Sequence, residues 1–350
     1  MSDSDLVEFK IGKVVCGRWK ISEKLGAGGC GAVYEAIDVK KKGYTAALKV
    51  ETNNSDDGGV LKLEADVLKK LASRPNVVRL LHSGKRGKYS FIVMTLCGPD
   101  LMFLRRIKGQ NKNKREEDKF SETTILRVGV HALYAIKQLH EIGFSHRDVK
   151  PGNMVIGQHG RDSRTIFMID YGMVRSFVLT DDKSGKKSFR KPRKKVLLRG
   201  TLRYCSTNVH KRFEQGRVDD LWSLLYMLVE LYVGLPWSGV KEEEQLLEMK
   251  EGITDDKLFE RCPGEFKVIA AHLRGLQYDD RPNYKFVYDQ FAKGVKRIKA
   301  CFSDPYDWED ERDLRDFQGT ALSLSEGEDR KKTLGAARME DVPNREPETI

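Results

Sequence analysis

His146-Arg147-Asp148-Val149-Lys150-Pro151-Gly152-Asn153, followed by Asp170-Tyr171-Gly172, is the stretch on which the reading of this chain turns. Asp148 is a carboxylate suited to accept a proton from a hydroxyl nucleophile. Lys150, two positions on, supplies a cation where negative charge develops. Asn153 and Asp170 offer hard oxygen atoms of the kind Mg²⁺ prefers. Moving a phosphoryl group asks for little covalent help from a protein. It asks that the nucleophile be oriented and that negative charge be spread over metal and cations. The order and spacing of these four residues meet both demands.

Upstream lies Gly26-Ala27-Gly28-Gly29-Cys30-Gly31-Ala32-Val33, preceded by a strand-like run. Glycines at this spacing let backbone amides approach phosphate oxygens without a Cβ in the way. A tight hairpin or a dinucleotide loop would look similar, but a dinucleotide site wants a helix next. Here a second strand-like run follows, and then a third ending in Ala46-Ala47-Leu48-Lys49. A lysine there suits the α- and β-phosphates of a nucleotide held under the loop. Val60, Leu61, Leu63, Val67, Leu68 and Leu71 recur at helical spacing, and Glu64 in that helix is placed to pair with Lys49.

With these motifs in hand, the chain resembles eukaryotic protein kinases from about Trp19 to Trp308. Within them it is similar to the casein kinase 1 group, on three features. These are Val93-Met94-Thr95-Leu96-Cys97-Gly98-Pro99-Asp100-Leu101, Gly200-Thr201-Leu202-Arg203-Tyr204-Cys205-Ser206, and Asp219-Asp220-Leu221-Trp222-Ser223-Leu224. The tau-tubulin kinase branch is closer still, at Val60–Glu64, Met227–Glu230, Leu235–Trp237 and Tyr306–Trp308. The resemblance implies a two-lobed α+β fold and transfer of the ATP γ-phosphoryl group to serine or threonine hydroxyls of protein substrates, with Mg²⁺. It implies nucleotide contacts from Leu25, Gly26, Gly28, Gly31, Val33, Ala47 and Lys49. Met94 is then the gatekeeper, and the backbone of Thr95, Leu96 and Cys97 meets the adenine. Asp220 braces the catalytic loop, and Lys150 with Thr201 accords with serine/threonine specificity. Arg203 and Lys241 match positions that the group uses to hold phosphate or acidic side chains. Tyr171 stands where Phe is usual, and Cys30 where the branch usually has an aromatic. A catalytically silent scaffold with a basic docking surface is the competing reading. It would follow from the loss of Lys49, Asp148, Asn153 or Asp170, and all four are present.

The chain of 350 residues, 39% of them hydrophobic, is long enough for two lobes. The expected organisation is an extension over 1–18, a small β-rich lobe over 19–95, a helical lobe over 96–310 and an acidic tail over 311–350. A crevice is expected where the lobes join. Ser121 is expected to cap a helix with an apolar face of Ile125, Val128, Ala132, Ile136 and Leu139. Leu221 to Trp237 is interrupted by Ser223, Glu230 and Gly234, so it reads as a buried core helix, not a membrane span. The acidic opening, Met1 to Asp5, does not read as a secretory leader. Six cysteines without a close pair suggest neither zinc nor disulfides. A reduced, cytoplasmic protein is expected, with the nucleus also open to it.

The net charge of +11 is unevenly placed. Ser303 to Ile350 carries 14 acidic and 7 basic residues, which leaves +18 on the rest. The tail either folds back onto the basic body or stays free. Lys183 to Arg199 holds nine basic residues and no acidic one, and a second basic run spans Arg105 to Lys119. Such runs attract acidic partners. Nucleic acid would call for aromatic residues interleaved for stacking, and Phe189 is the only one in the longer run. Acidic or already phosphorylated protein sites, such as tubulin-like tails, are the expected substrates, and a membrane or polyanionic scaffold is the competing use of the run.

Overall fold

The computed structural model describes residues 7–28, 31–53, 59–110, 119–181 and 183–309. Cys30, positions 111–118 of the shorter basic run and the acidic tail 311–350 lie outside the described residues. The chain forms two compact units. One takes in residues up to Gly98 together with Ile169–Gly172, and the other Pro99–Met168 and the chain from Met173 onward.

The first unit is built on a six-stranded antiparallel sheet. Its strands are Val14–Val15 (β1), Trp19–Gly28 (β2), Gly31–Asp38 (β3), Thr45–Thr52 (β4), Leu80–Lys85 (β5) and Tyr89–Thr95 (β6), in the order β1-β2-β3-β4-β6-β5. Alternation along β3 buries Ala32, Tyr34 and Ala36 and turns Val33 and Glu35 away from that core, the period of two that a half-buried strand requires. The segment expected to be an extension is part of this lobe. Phe9 and Val15 lie in one core with Trp19, Ile21, Tyr34 and Phe91, and Phe9 N–H donates to the Tyr34 hydroxyl at 3.0 Å. The glycine-rich hairpin closes tightly because Gly31 has φ +138°, and a Cβ there would lie 1.9 Å from the Val50 carbonyl oxygen. The α-helix Val60–Leu71 (α1) of this unit buries Leu61, Ala65, Val67, Leu68 and Leu71, and with them Glu64. Glu51 on β4 holds the helix start, accepting from Leu61 N–H at 3.0 Å.

The strand Cys97–Asp100 (β7) leads into the second unit. Its helices are Leu101–Gln110 (α2), Glu122–Glu141 (α3), Thr207–His210 (α4), Arg217–Tyr232 (α5), Glu243–Gly252 (α6), Asp255–Leu258 (α7), Gly264–Arg274 (α8) and Tyr284–Arg297 (α9). Ser121 caps α3 as expected, its Oγ accepting from Thr124 N–H at 3.2 Å. α3 packs against α5 and α9 to form the core. α5 is buried along nearly its whole length but stops at Tyr232, short of the expected Trp237. Gly234, at φ +90°, and Pro236 turn the chain away from the helix. The segment at 304–309 is strapped over α3. Arg127 donates to the Asp304 and Pro305 carbonyls, Asp307 accepts from Lys108 at 2.9 Å and Ser121 Oγ at 2.6 Å, and Trp308 is fully buried, stacked on Tyr306.

Short strands carry the loops that matter for chemistry. Phe144–Ser145 (β8) and Met154–Gly157 (β9) flank residues 146–153, and Ile166–Met168 (β10) pairs with β9 and leads to Asp170. Arg175–Ser176 (β11) returns to pair with β8, and Val178–Thr180 (β12) forms a hairpin with Lys187–Phe189 (β13).

Candidate active site

In the first unit the sheet register gathers most of the expected nucleotide contacts. Val33 on β3 pairs with Lys49 on β4, Gly26 on β2 pairs with Val33, and Ala47 on β4 pairs with Met94 on β6. Directly paired residues share a face, as do residues two apart on one strand. Val33, Ala47, Lys49 and Met94 therefore look out on the same side. Leu25 on β2 is 47% exposed, unusual for a large apolar residue in a strand, and Gly28 pairs with Gly31 at the hairpin end. Thr95, Leu96 and Cys97 continue from β6, with Thr95 N–H committed to the Arg79 carbonyl at 3.0 Å.

Lys49 Nζ lies 2.8 Å from Glu64 Oε2 and 2.8 Å from Asp170 Oδ1. Burial works against its charge, but the two carboxylates outweigh burial and raise its pKa above the ordinary lysine value. Glu64 is 0% exposed and also accepts from Tyr171 N–H at 3.3 Å, so the helix carboxylate fixes both the lysine and the start of the Tyr171 turn. The Tyr171 ring is itself buried, which raises its hydroxyl pKa. Asp170 has φ +64°, a conformation that non-glycine residues take at a cost, and its side chain remains 42% exposed.

In the second unit Asp148 is held from three sides. Its Oδ1 accepts from Thr201 Oγ1 at 2.7 Å, and its Oδ2 accepts from Lys150 Nζ at 2.6 Å and Asn153 Nδ2 at 3.2 Å. Lys150 Nζ also reaches Thr201 Oγ1 at 3.3 Å. Asn153 spends Nδ2 on Asp148 (its carbonyl oxygen lies at 2.9 Å), so those bonds leave Oδ1 out. Amide oxygen on Asn153 and carboxylate oxygen on Asp170 are the donor chemistry that Mg²⁺ accepts, with phosphate and water completing its shell. Gly200 lets the Thr201 segment in. It has φ +104°, and a Cβ on it would lie 2.3 Å from the Arg147 carbonyl oxygen.

Asp220 braces this loop from below, as the resemblance implied. It accepts from His146 N–H at 2.6 Å and Arg147 N–H at 2.8 Å. His140, absent from the sequence-based candidates, is its third partner: Nε2 lies 2.8 Å from Asp220 Oδ2 and Nδ1 lies 2.7 Å from the Tyr284 hydroxyl. Burial lowers the His140 pKa, so the ring is neutral, donating through Nε2 and accepting at Nδ1. Burial raises the Asp220 pKa, but the bonds from His140 and the loop outweigh it, and the carboxylate stays ionised. Arg147 takes φ +69° and donates from Nε to the Met173 carbonyl at 2.6 Å, its pKa pushed down to about 10 by burial and by Arg175.

The longer basic run departs from expectation. The run holds no acidic residue of its own, yet Arg193 makes a bidentate pair with Glu214 at 2.6 and 3.0 Å, and Arg175 joins at 3.3 Å. Glu214 lies outside the run, which is why counting charges within it missed the pair. Arg190 Nε donates to the Ser176 carbonyl at 3.0 Å, and the Arg217 guanidinium sits 4.9 and 5.0 Å from the stacked rings of Phe177 and Phe189. Lys183, Lys186, Lys187, Lys191, Lys194 and Lys195 remain exposed. Arg203 is partly engaged, donating to the Ser238 carbonyl at 2.7 Å and lying 3.6 Å from Glu230, while Lys241 is exposed. Glu230 also pairs with Arg105 at 3.1 Å, so two guanidiniums share one carboxylate.

Comparison with known proteins gives a consistent result. Residues 19–288 match the protein kinase domain family. A putative serine/threonine-protein kinase of Caenorhabditis elegans is 39% identical over 305 residues, 87% of this chain and 85% of that protein. A probable serine/threonine-protein kinase of Dictyostelium discoideum is 36% identical over 304 residues, 87% of this chain and 59% of its own length. The inactive tau-tubulin kinase ttbk-6 of Caenorhabditis elegans is 34% identical over 256 residues, 71% of this chain and 87% of that protein.

Proposed function

The chain belongs to the eukaryotic protein kinase family, and on that premise we propose that it phosphorylates serine or threonine in acidic or already phosphorylated protein sites. The observation that carries the catalytic reading is the ring of donors around Asp148, with Thr201, Lys150 and Asn153 all within hydrogen-bond reach. Those donors fix the carboxylate for one task, accepting the hydroxyl proton as the substrate oxygen bonds to the γ-phosphorus and the bond to the ADP oxygen breaks. Lys150 offers its cation to the phosphoryl oxygens, and Lys49, held by Glu64, offers its own to the α- and β-phosphates. Leu25, Gly26, Gly28, Gly31, Val33, Ala47, Met94 and the backbone of Thr95, Leu96 and Cys97 hold the rest of ATP. Asn153 and Asp170 would hold Mg²⁺, which neutralises phosphate charge when bound. Among the described residues no helix is long and apolar enough to cross a membrane. The reading places the enzyme in the cytoplasm, acting on acidic, microtubule-associated or primed proteins.

The acidic preference rests on the exposed lysines of the β12–β13 segment, the partly exposed guanidinium of Arg203 and exposed Lys241. A peptide array without membranes tests it. Asp, Glu or phosphoserine beside the target should be preferred, and Arg203→Ala with Lys241→Ala should flatten that preference by about tenfold while sparing a neutral peptide. A preference for basic flanks would overturn the substrate class and leave the catalytic reading in place.

A further inference from the structure

Lys250 on α6 takes no part in the phosphoryl chemistry, yet it is a buried cation. It is 5% exposed, and among the described residues no carboxylate pairs with it. Its Nζ donates to the carbonyls of Leu202 and Cys205, both at 2.7 Å, and to His210 Nε2 at 3.1 Å. The rings of Tyr226 and Trp237 lie 5.3 and 5.4 Å from the ammonium, and their faces partly compensate its lost hydration. Trp237 Nε1–H takes the Arg203 carbonyl at 2.9 Å. The loop that follows Thr201 is therefore gripped through its own carbonyls by side chains from outside it. At the loop's other end, Tyr204 and Cys205 N–H donate to the Thr201 carbonyl at 2.9 and 3.1 Å, and Thr201 Oγ1 donates to Asp148.

We propose that Lys250 is a positioning residue for the transfer: its ammonium holds the loop Leu202–Cys205 by its carbonyls, and so sets how tightly a protein substrate is held beside Asp148. The inference rests on the kinase reading above. Three acceptors converge on Nζ, and only an ammonium has three hydrogens to give. A neutral amine has two, and once the proton is lost its lone pair can face only His210 Nε2 in the Nε2–H tautomer, while the bonds to the two carbonyls lose their charge assistance and the grip loosens.

Burial pushes the Lys250 pKa down to about 8. The groups around it shift the other way or well below. Burial pushes the Cys205 thiol up to about 11 and raises Tyr226, while burial and the lysine charge push His210 down to about 4. Glu243 lies 3.6 Å from His210, with its pKa lowered by Arg212. Glu251 and Asp255, which line one pocket together with Lys250, are ion-paired with Lys211 and Arg274. Among the shifted groups here, Lys250 alone crosses its pKa in the mildly alkaline range.

The test is steady-state kinetics of the full chain, using a peptide without groups that titrate between about pH 7 and about pH 9. In the wild type the peptide KM should rise severalfold across that range, with the ATP KM steady. In Lys250→Met the peptide KM should already be about tenfold higher at neutral pH and show no further rise, with the ATP KM within about twofold. Thermal stability separates this from a merely structural role. The folded-state pKa of Lys250 lies below the unfolded value of about 10.4, so its contribution to stability increases as pH climbs between the two. The grip on substrate weakens as pH passes through the folded value of about 8, so peptide KM and this stability contribution both rise with pH. If Lys250→Met fails to fold, the wild-type profile decides alone. An active wild type with a flat profile, or a folded Lys250→Met with an unchanged peptide KM, overturns this inference. A wild type that transfers no phosphate at any pH overturns the kinase reading and this inference with it.

Discussion

Asp148→Asn should lower turnover on a peptide by about 10³-fold, near the upper end of what a positioned proton acceptor supplies. The substitution is close to isosteric, and the site can accommodate it. The amide oxygen can face Lys150 and Asn153, whose donors lie 2.6 and 3.2 Å from Oδ2. The amide nitrogen can then face Thr201 Oγ1, a hydroxyl free to rotate and accept. Folding and ATP affinity should be preserved, and only the base is lost. A purified Asp148→Asn protein with kcat within about tenfold of wild type would place the proton acceptor elsewhere.

Lys49→Met carries the second largest expectation, and it reaches stability as well as rate. Removing the ammonium strands Glu64, which is fully buried, and leaves it in the neighbourhood of Asp170 without the shared cation. Breaking a buried pair in this way typically costs about 3–5 kcal/mol. Asp170 is 42% exposed, so water screens its share and the lower end applies. The sign of the pH dependence follows. In the wild type the raised Lys49 pKa gives stability that is fully present below the unfolded lysine value and is lost only as pH rises through the folded one. No dependence from Lys49 is therefore expected near neutrality. In Lys49→Met, Glu64 keeps the Tyr171 N–H at 3.3 Å but loses its cation, so the deficit should show as a lower melting temperature at neutral pH. The ATP KM should rise and kcat should fall by about 10²-fold or more, since the phosphates lose their fixed cation. Thermal melts and ATP titrations check both halves. A Lys49→Met protein that melts with the wild type would contradict the buried-pair account.

How much of this was legible beforehand depends on whether the determinant was local. The strands flanking the glycines and α1 follow from periods of two and 3.6, and Glu64 stood out as the one acid among apolar positions that the helix buries. Asp148, Lys150 and Asn153 are brought together because they lie in one short loop, and Thr201 reaches them because Gly200 permits the approach. What sequence could not supply was tertiary. Phe9 enters the core of the first unit by packing on Tyr34 and Tyr89, contacts that no spacing announces. Glu214 neutralises Arg193 from outside the basic run, and His140 reaches Asp220 from a helix where it could pass for an ordinary buried residue. Lys250 grips carbonyls, which every residue has, so its partners leave no signature in side-chain identity.

The central claim is that this chain moves the γ-phosphoryl group of ATP to serine or threonine, with Asp148 as the proton acceptor. The most direct measurement incubates the full chain with Mg²⁺ and ATP labelled in the γ-phosphoryl group. It is given acidic peptides that differ only in offering Ser, Thr or Tyr at one position, with Asp148→Asn run alongside. The account predicts label on phosphoserine and phosphothreonine, none on tyrosine, and next to none from Asp148→Asn. No transfer by the wild type, or equal transfer by both proteins, would contradict it.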